Sequence, residues 1–311
     1  MGSFDKFYRV FQNTLQDLYP EPKELESLFF LLTTHIFQCD KTTILLRVSR
    51  KEKIHFDTYD KLIKKLWELK KNRPIQYVIG YAYFFGMKFI VNEKVFIPRQ
   101  ETEELVSWIL QDHKDYFHHD NHPIQVFDIG TGSGCISITL KKKKPEFIHI
   151  YAMDSDQEAL NIAKKNARLH NVKISLKNVD ILKGGMDLPT KINKNSVHII
   201  VSNPPYVRLS EKKLLHPNIV QYEPYKALFV PDETPLIFYQ KISFWIKKRL
   251  NGIVYLYFEI NQFIYLDIID LLKKMGFLNI EIRRDFQGFF RMVRAIYVRK
   301  QINNNKKWIK K

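Results

Sequence analysis

Over roughly the first 80 residues, apolar positions recur at a spacing near the 3.6-residue period of a helix. Phe7, Phe11, Leu15 and Leu18 form one stripe, closed by Pro20 and Pro22. Leu25, Leu28, Phe29, Leu32 and Ile36 form a second, and Tyr59, Leu62, Ile63, Leu66 and Leu69 a later one. Each stripe is a face that a helix buries against its neighbours, so residues 1–80 are expected to fold as a small all-helical domain. At Gly80 the pattern changes. Phe84 to Val91 and Lys94 to Ile97, separated by Asn92-Glu93, read as a β-hairpin, which makes 81–98 a linker between two domains.

From Pro123 onward, short apolar runs alternate with helical stripes, the signature of a doubly wound α/β sheet. The runs Ile124 to Phe127, Ile148 to Met153, Ile174 to Val179, Val197 to Val201 and Ile253 to Phe258 are the expected parallel strands. Ile264, Ile268, Leu271 and Met275 mark a helix, and Ile280 to Arg283 with Met292 to Val298 are expected to add an antiparallel edge. This second domain spans 99–300, and the polar, basic tail 301–311 is expected to fray.

Length and charge narrow the setting. A chain of 311 residues has room for two domains with real cores. Its formal charge of +17 (50 Lys and Arg against 33 Asp and Glu) suits an anionic partner such as RNA, and equally fits a drift toward lysine-rich composition. The two cysteines, Cys39 and Cys135, form neither a disulfide framework nor a metal spacing, which fits a reducing cytoplasm. Met1 to Val10 carries no apolar signal core and nothing reaches about 18 uninterrupted apolar residues, so a soluble, monomeric, cytoplasmic protein is expected.

The most informative chemistry follows the Val197 run. Asn203-Pro204-Pro205-Tyr206 falls at the carboxyl end of that strand, where open parallel sheets place their ligand crevices. Proline at 204 and 205 removes backbone donors and pushes the preceding residue out of helical geometry. The Asn203 side chain and the Pro204 carbonyl are therefore two acceptors suited to a planar NH2 group. Holding both N–H bonds of an amide or exocyclic amine raises electron density on a poorly nucleophilic nitrogen and aligns it for attack. Tyr206 is expected to pack on the flat group. Read alone, the tetrapeptide can also be a loop that merely ends a strand.

A second cluster completes the picture. Asp128-Ile129-Gly130-Thr131-Gly132-Ser133-Gly134 follows the first strand and opens a helix, where glycines let the backbone approach a ligand. The third glycine comes two residues after the second, whereas a dinucleotide fingerprint needs three. Asp154 at the end of the second strand is placed to accept ribose hydroxyls, with Ser155 and Glu158 read as a capping box for the next helix. Asp180 at the end of the third strand is placed for an adenine amino group, with Ile181 packing on the ring; each aspartate alone can also be a helix cap. Gly130, Thr131, Gly132, Ser133, Gly134, Asp154, Asp180 and Ile181, with Asn203 beside them, describe an adenosine-containing cofactor next to a planar nitrogen, which points to S-adenosyl-L-methionine.

From about Arg73 to Tyr297 the chain resembles the release factor glutamine N5-methyltransferases. The resemblance is carried by Pro74-Ile75-Gln76-Tyr77 with Gly80, by Ile97-Pro98-Arg99-Gln100-Glu101-Thr102-Glu103, by the glycine loop, Asp154, Asp180 and Ser202 to Tyr206, and by Glu223-Pro224 with Ala227-Leu228. It implies a Rossmann-like S-adenosylmethionine-dependent methyltransferase sheet and methylation of the glutamine amide in the Gly-Gly-Gln motif of peptide chain release factors. Asn203, Pro204, Pro205 and Tyr206 are then the catalytic residues. The resemblance also implies that the helical domain grips the release factor, and that Arg99, Glu101 and Glu103 brace the domain junction and cofactor pocket. Gln100 stands where the family usually has proline and Asn261 where it often has glycine, departures that bear on loop geometry.

The competing enzyme class is an amino methyltransferase of adenine or guanine in nucleic acid, which shares the tetrapeptide and the glycine loop. A non-catalytic module binding the ribosome or a release factor is the other. His113, His118, His119 and His122 match no zinc spacing and are expected in a solvated loop, and Lys141 to Lys144 as a solvated helix end.

Overall fold

The computed structural model describes residues 2–114, 124–144, 148–184 and 197–299. His118, His119, His122 and the tail 301–311 lie outside the described residues. Two compact units emerge: Met1–Ala82 with Ile90–Ile97 and Lys213–Pro224, and Tyr83–Phe89 with Pro98–Lys212 and Tyr225–Lys311.

The first unit is helical, with helices at Phe4–Leu15, Pro22–Phe37, Lys41–Ser49, Phe56–Lys70, Ile75–Ile79 and Pro217–Tyr222. Phe4, Phe7, Phe11 and Leu15 are buried along the first, as the stripe requires. The Phe7, Phe11 and Phe29 rings meet at 5.5–6.1 Å between centroids, an aromatic core in which edge contacts add to area burial. Pro22 sits in the first turn of the second helix, where its missing N–H costs nothing, so it opens that helix as well as closing the segment before it. The Lys41–Ser49 helix carries no stripe. Asp40 caps it by accepting from the Thr43 N–H at 2.7 Å, and Ile44 is its buried residue. Buried Glu223 accepts from the Ile97 N–H at 3.2 Å, and the Tyr77 hydroxyl donates to the Val95 carbonyl at 2.6 Å.

The hairpin is present in a different register. Its strands are β1 (Tyr81–Phe84) and β2 (Met87–Ile90), with the turn at Phe85-Gly86 rather than at Asn92-Glu93. Phe85 and Gly86 both adopt positive φ, 54° and 73°, the backbone twist that two-residue hairpin turns require. Residues 91–97 instead turn back, the Val95 N–H donating to the Asn92 carbonyl at 3.0 Å.

The second unit is built on a seven-stranded sheet. Its strands are β3 (Ile124–Ile129), β4 (Ile148–Asp154), β5 (Ser175–Asn178), β6 (Val197–Ser202), β9 (Gly252–Glu259), β10 (Leu278–Arg284) and β11 (Phe290–Arg299), in the order β10-β11-β9-β6-β3-β4-β5. β3, β4, β5, β6 and β9 run parallel, while β11 pairs antiparallel with β9 and β10. A separate pair, β7 (Val207–Arg208) and β8 (Phe229–Val230), follows the tetrapeptide. Helices cover both faces. Trp108 and Ile109 of the Gln100–Asp112 helix and Ile136 and Ile138 of the Cys135–Lys143 helix pack on one side, and Trp245 and Ile246 of the Ile237–Arg249 helix with Ile268 and Leu272 of the Tyr265–Lys274 helix on the other. The central strands are buried on both faces and read as unbroken apolar runs for that reason. The strand order reverses between β3 and β6, which puts the crevice beyond their carboxyl ends.

His113 departs from the expected solvated loop. It is 1% exposed, with its Nε2 3.0 Å from the Tyr257 hydroxyl, and burial pulls its pKa down to about 4. Among the described residues no cluster of His, Cys, Asp or Glu suited to a metal ion is found, and no helix is long and apolar enough to cross a membrane.

Candidate active site

The glycine loop leaves β3 and is pinned to β4: the Gly130 and Thr131 N–H groups both donate to the Met153 carbonyl, at 2.8 and 2.9 Å. Gly134 begins the Cys135–Lys143 helix at φ 82°, and a Cβ there would meet Ile138 Cδ1 at 3.0 Å and Ala163 Cβ at 3.2 Å. The left-handed φ and the tight contacts with this helix and the Gln157–Leu169 helix disfavour a side chain there. Beneath the loop, fully buried Asp128 accepts through Oδ2 from Thr131 Oγ1 at 2.7 Å and from Ser137 N and Oγ at 3.2 and 2.6 Å. Burial raises its pKa to about 6. Its Oδ1 is a buried acceptor with no partner among the described residues, as suits a site meant for a donor from outside the chain.

Asp154 ends β4. Its Oδ2 accepts from the Gly132 N–H at 2.9 Å and its Oδ1 from Asp156 N at 3.0 Å, so the glycine loop and the following turn fix the carboxylate, and burial pushes its pKa up. The cap of the Gln157–Leu169 helix is Asp156, accepting from Glu158 N at 2.8 Å, not the Ser155-Glu158 box expected. Asp156 takes the position because Asp154 already holds its N–H and sets the turn. Asp180 caps a 3-10 turn at Ile181–Lys183 by accepting from Leu182 N at 2.9 Å, and Ile181 is buried against the core. These groups fit an adenosyl cofactor: a loop open to close backbone approach, a fixed carboxylate at the next strand end, an unpartnered buried acceptor and an apolar residue at the third strand end.

The tetrapeptide loop sits beside the glycine loop. Ser202 Oγ donates to the Ile129 carbonyl at 2.6 Å, and a Cβ on Gly130 would lie 4.0 Å from the Asn203 carbonyl. Asn203 Nδ2 donates to Thr102 Oγ1 at 3.1 Å, and Thr102 Oγ1 in turn donates to Glu259 Oε2 at 2.6 Å. With its nitrogen so committed, the Asn203 amide keeps Oδ1 as an acceptor. The Tyr206 hydroxyl donates to the other oxygen of Glu259 at 3.0 Å, and its ring packs against the core below. Asn261 donates through Nδ2 to the Tyr206 carbonyl at 3.0 Å and to Glu211 Oε2 at 2.8 Å. The residue that departs from the family pattern thus clamps the exit of the loop. Glu103 accepts from the Phe85 N–H at 2.8 Å, anchoring the start of its helix.

The sequence assigned no role to Thr102 or Glu259, and marked Asn261 only as a departure that bears on loop geometry. A trace existed for Glu259, a carboxylate directly after the apolar run Ile253 to Phe258, but its partners lie 53 and 157 residues away. Cys135 is buried and its thiol is pushed up to about 12, which removes it as a nucleophile.

A methyltransferase small-domain family model matches residues 115–222. A release factor glutamine methyltransferase from Flavobacterium psychrophilum is 39% identical over 292 residues, covering 93% of this chain and 98% of that protein. One from Bacteroides thetaiotaomicron is 36% identical over 291 residues, covering 91% and 96%. The chain belongs to the release factor glutamine methyltransferases. Enzymes of this family take their methyl group from S-adenosylmethionine, the cofactor the sequence pointed to. The catalytic domain of human METTL16, solved with an RNA hairpin of MAT2A, shares the Rossmann-like methyltransferase fold, with a TM-score of 0.50, 19% identity, and coverage of 77% of this chain and 80% of that one.

Proposed function

We propose that the protein transfers a methyl group from S-adenosyl-L-methionine to the side-chain amide nitrogen of the glutamine in the Gly-Gly-Gln motif of peptide chain release factors, supporting translation termination. The observation that carries this reading is the orientation of Asn203, whose side-chain nitrogen is tied to Thr102, leaving Oδ1 as an acceptor, and whose backbone carbonyl lies beside the glycine loop. Asn203 Oδ1 and the Pro204 carbonyl each accept a hydrogen bond from the glutamine NH2, and the Tyr206 ring flanks the flat carboxamide; on transfer the nitrogen gives up one proton to solvent and the demethylated thioether leaves. Pro205 keeps the turn rigid and withholds a competing donor. The bound cofactor supplies a sulfonium methyl, already electrophilic, so the protein's task is to align the nitrogen and exclude water. Gly130, Thr131, Gly132, Ser133 and Gly134 would hold its amino-acid end, Asp154 its ribose, and Asp180 with Ile181 its adenine.

The protein acts as a cytoplasmic monomer on this reading, with the release factor as its protein substrate. The formal +17 charge supports an added weak contact with RNA, measurable as binding that falls steeply with salt. Incubation with labelled cofactor and purified release factor, a release factor lacking that glutamine, RNA and DNA tests the proposal. Label is expected on the intact release factor alone. Label on nucleic acid, or on the glutamine-less factor to the same extent, overturns it.

A further inference from the structure

We infer that Glu259 and Thr102 are positioning residues that set which way the Asn203 amide faces, and that the acceptor state of the active-site loop depends on this relay. The inference rests on the amide-methylation reading above and deepens it. An asparagine amide can present either its oxygen or its NH2 to a ligand, and the two ends have nearly the same shape. Only the oxygen can accept from a glutamine NH2; the other orientation sets donor against donor.

The chain of hydrogen bonds decides between them. An ionised Glu259 can only accept, so the hydroxyl hydrogen of Thr102 points to Glu259 Oε2 at 2.6 Å. Thr102 Oγ1 then has lone pairs for Asn203, and it is Nδ2 that turns toward it, at 3.1 Å. The second oxygen of Glu259 accepts from Tyr206 at 3.0 Å, so one carboxylate sets both ends of the tetrapeptide. Both Thr102 and Glu259 are buried, 2% and 1% exposed, which shields the relay from competing water.

A proton on Glu259 would reverse the relay. The acid would donate to Thr102, Thr102 would donate to Asn203 Oδ1, and the amide would turn its NH2 outward. The groups facing the carboxyl are Thr102 and Glu101 on the Gln100–Asp112 helix, Tyr206 on the loop, Tyr239 on the Ile237–Arg249 helix, whose hydroxyl meets the Glu259 backbone carbonyl, and Arg291 on β11. Burial pushes the Glu259 carboxyl up and Glu101 adds to that, against the Thr102 and Tyr206 hydrogen bonds and the Arg291 charge. Turnover is therefore expected to fall as the pH is lowered.

The test compares T102V, which keeps shape and removes the hydroxyl, with T102S, which keeps the hydroxyl. At saturating substrates T102V is expected to lose about tenfold or more in kcat and T102S less than about threefold, while both bind S-adenosylmethionine within about threefold of the wild type. The Asn203 side-chain NH2 resonance, assigned by its absence in N203D, is expected to lose its hydrogen-bond protection in T102V and keep it in T102S. Unchanged kcat in T102V, or equal losses in the two variants, overturns the relay. If T102V does not fold, E259Q replaces it, with kcat expected to fall and the acid limb of the pH profile to flatten; an unaltered profile refutes the inference. A wild-type protein that moves no methyl to glutamine refutes the reaction, and the NH2 resonance then still decides the relay.

Discussion

The glycine loop after β3 and the tetrapeptide loop after β6 share one edge of one sheet, yet different parts of the chain hold them. The first is fixed by residues close to it in sequence, with Thr131 and Ser137 on Asp128, 3 and 9 positions apart, and Gly132 on Asp154, 22 positions apart. The second is fixed by Thr102, 101 residues from Asn203, and by Glu259, 53 residues from Tyr206. A loop of the first kind needs only its own βαβ unit and the helix that follows it, whose Asn166 donates to the Ser133 carbonyl at 2.9 Å. The second reaches its working shape only when β6, β9 and the Gln100–Asp112 helix are all in place. Changes in the first loop should therefore be read in cofactor affinity and stability, and changes in the second in turnover.

Asn203→Ala should divide them most sharply. It removes one of the two acceptors proposed for the amide and is expected to lower kcat by about a thousandfold, the loss seen when a preorganised polar contact is removed, with the cofactor Kd within about threefold. Steady-state kinetics with calorimetry checks this, and parallel losses in both quantities would erase the division.

Asp128→Asn probes the foundation of the glycine loop through pH. The folded-state pKa of about 6 lies above the ordinary 3.8, so the stability contributed by this carboxyl is full below 3.8 and is lost as the pH rises through 6. The variant carries no such loss. Relative to the wild type it is expected to gain about 3 kcal/mol of unfolding free energy between pH 4 and pH 8, measured by urea titration at each pH. A pH-independent difference would remove Asp128 from the account.

Asp154→Asn comes next. The neutral side chain weakens the acceptor proposed for ribose, and cofactor affinity is expected to fall roughly ten- to a hundredfold, as for hydrogen bonds to charged groups, with kcat at saturating cofactor nearly kept. Gly134→Ala should have the smallest effect, about 1–3 kcal/mol in stability, from a Cβ at 3.0 Å from Ile138 and a φ of 82° that disfavours any side chain. A denaturant midpoint equal to that of the wild type would show that the loop tolerates what its packing forbids.

The same contrast explains what the sequence disclosed. Strands β3 and β6 are apolar runs because both faces are buried, and the glycine loop and Asp154 lie directly at the ends of β3 and β4, so fold and glycine loop were legible from local pattern. The Lys41–Ser49 helix was not, because Leu45 and Leu46 stay exposed and only Ile44 is fully buried, with Val48 half-buried against the same core. The hairpin was misplaced because Phe85 takes a positive φ that the sequence gives no reason to expect of phenylalanine, whereas Asn92 looked like a turn residue. Thr102 and Glu259 escaped for a different reason. Their roles exist only as contacts between distant strand and helix ends, and no spacing along the chain encodes them.

The most direct test is to locate the transferred methyl. Release factor incubated with the enzyme and cofactor, digested and fragmented in a mass spectrometer, should carry a single methyl on the glutamine of its Gly-Gly-Gln motif, placed on the amide nitrogen, and Asn203→Ala should leave that peptide almost entirely unmodified in the time the wild type takes to complete the reaction. A methyl on another residue or on a carboxyl or backbone atom would contradict the account, as would full modification by Asn203→Ala in that same time.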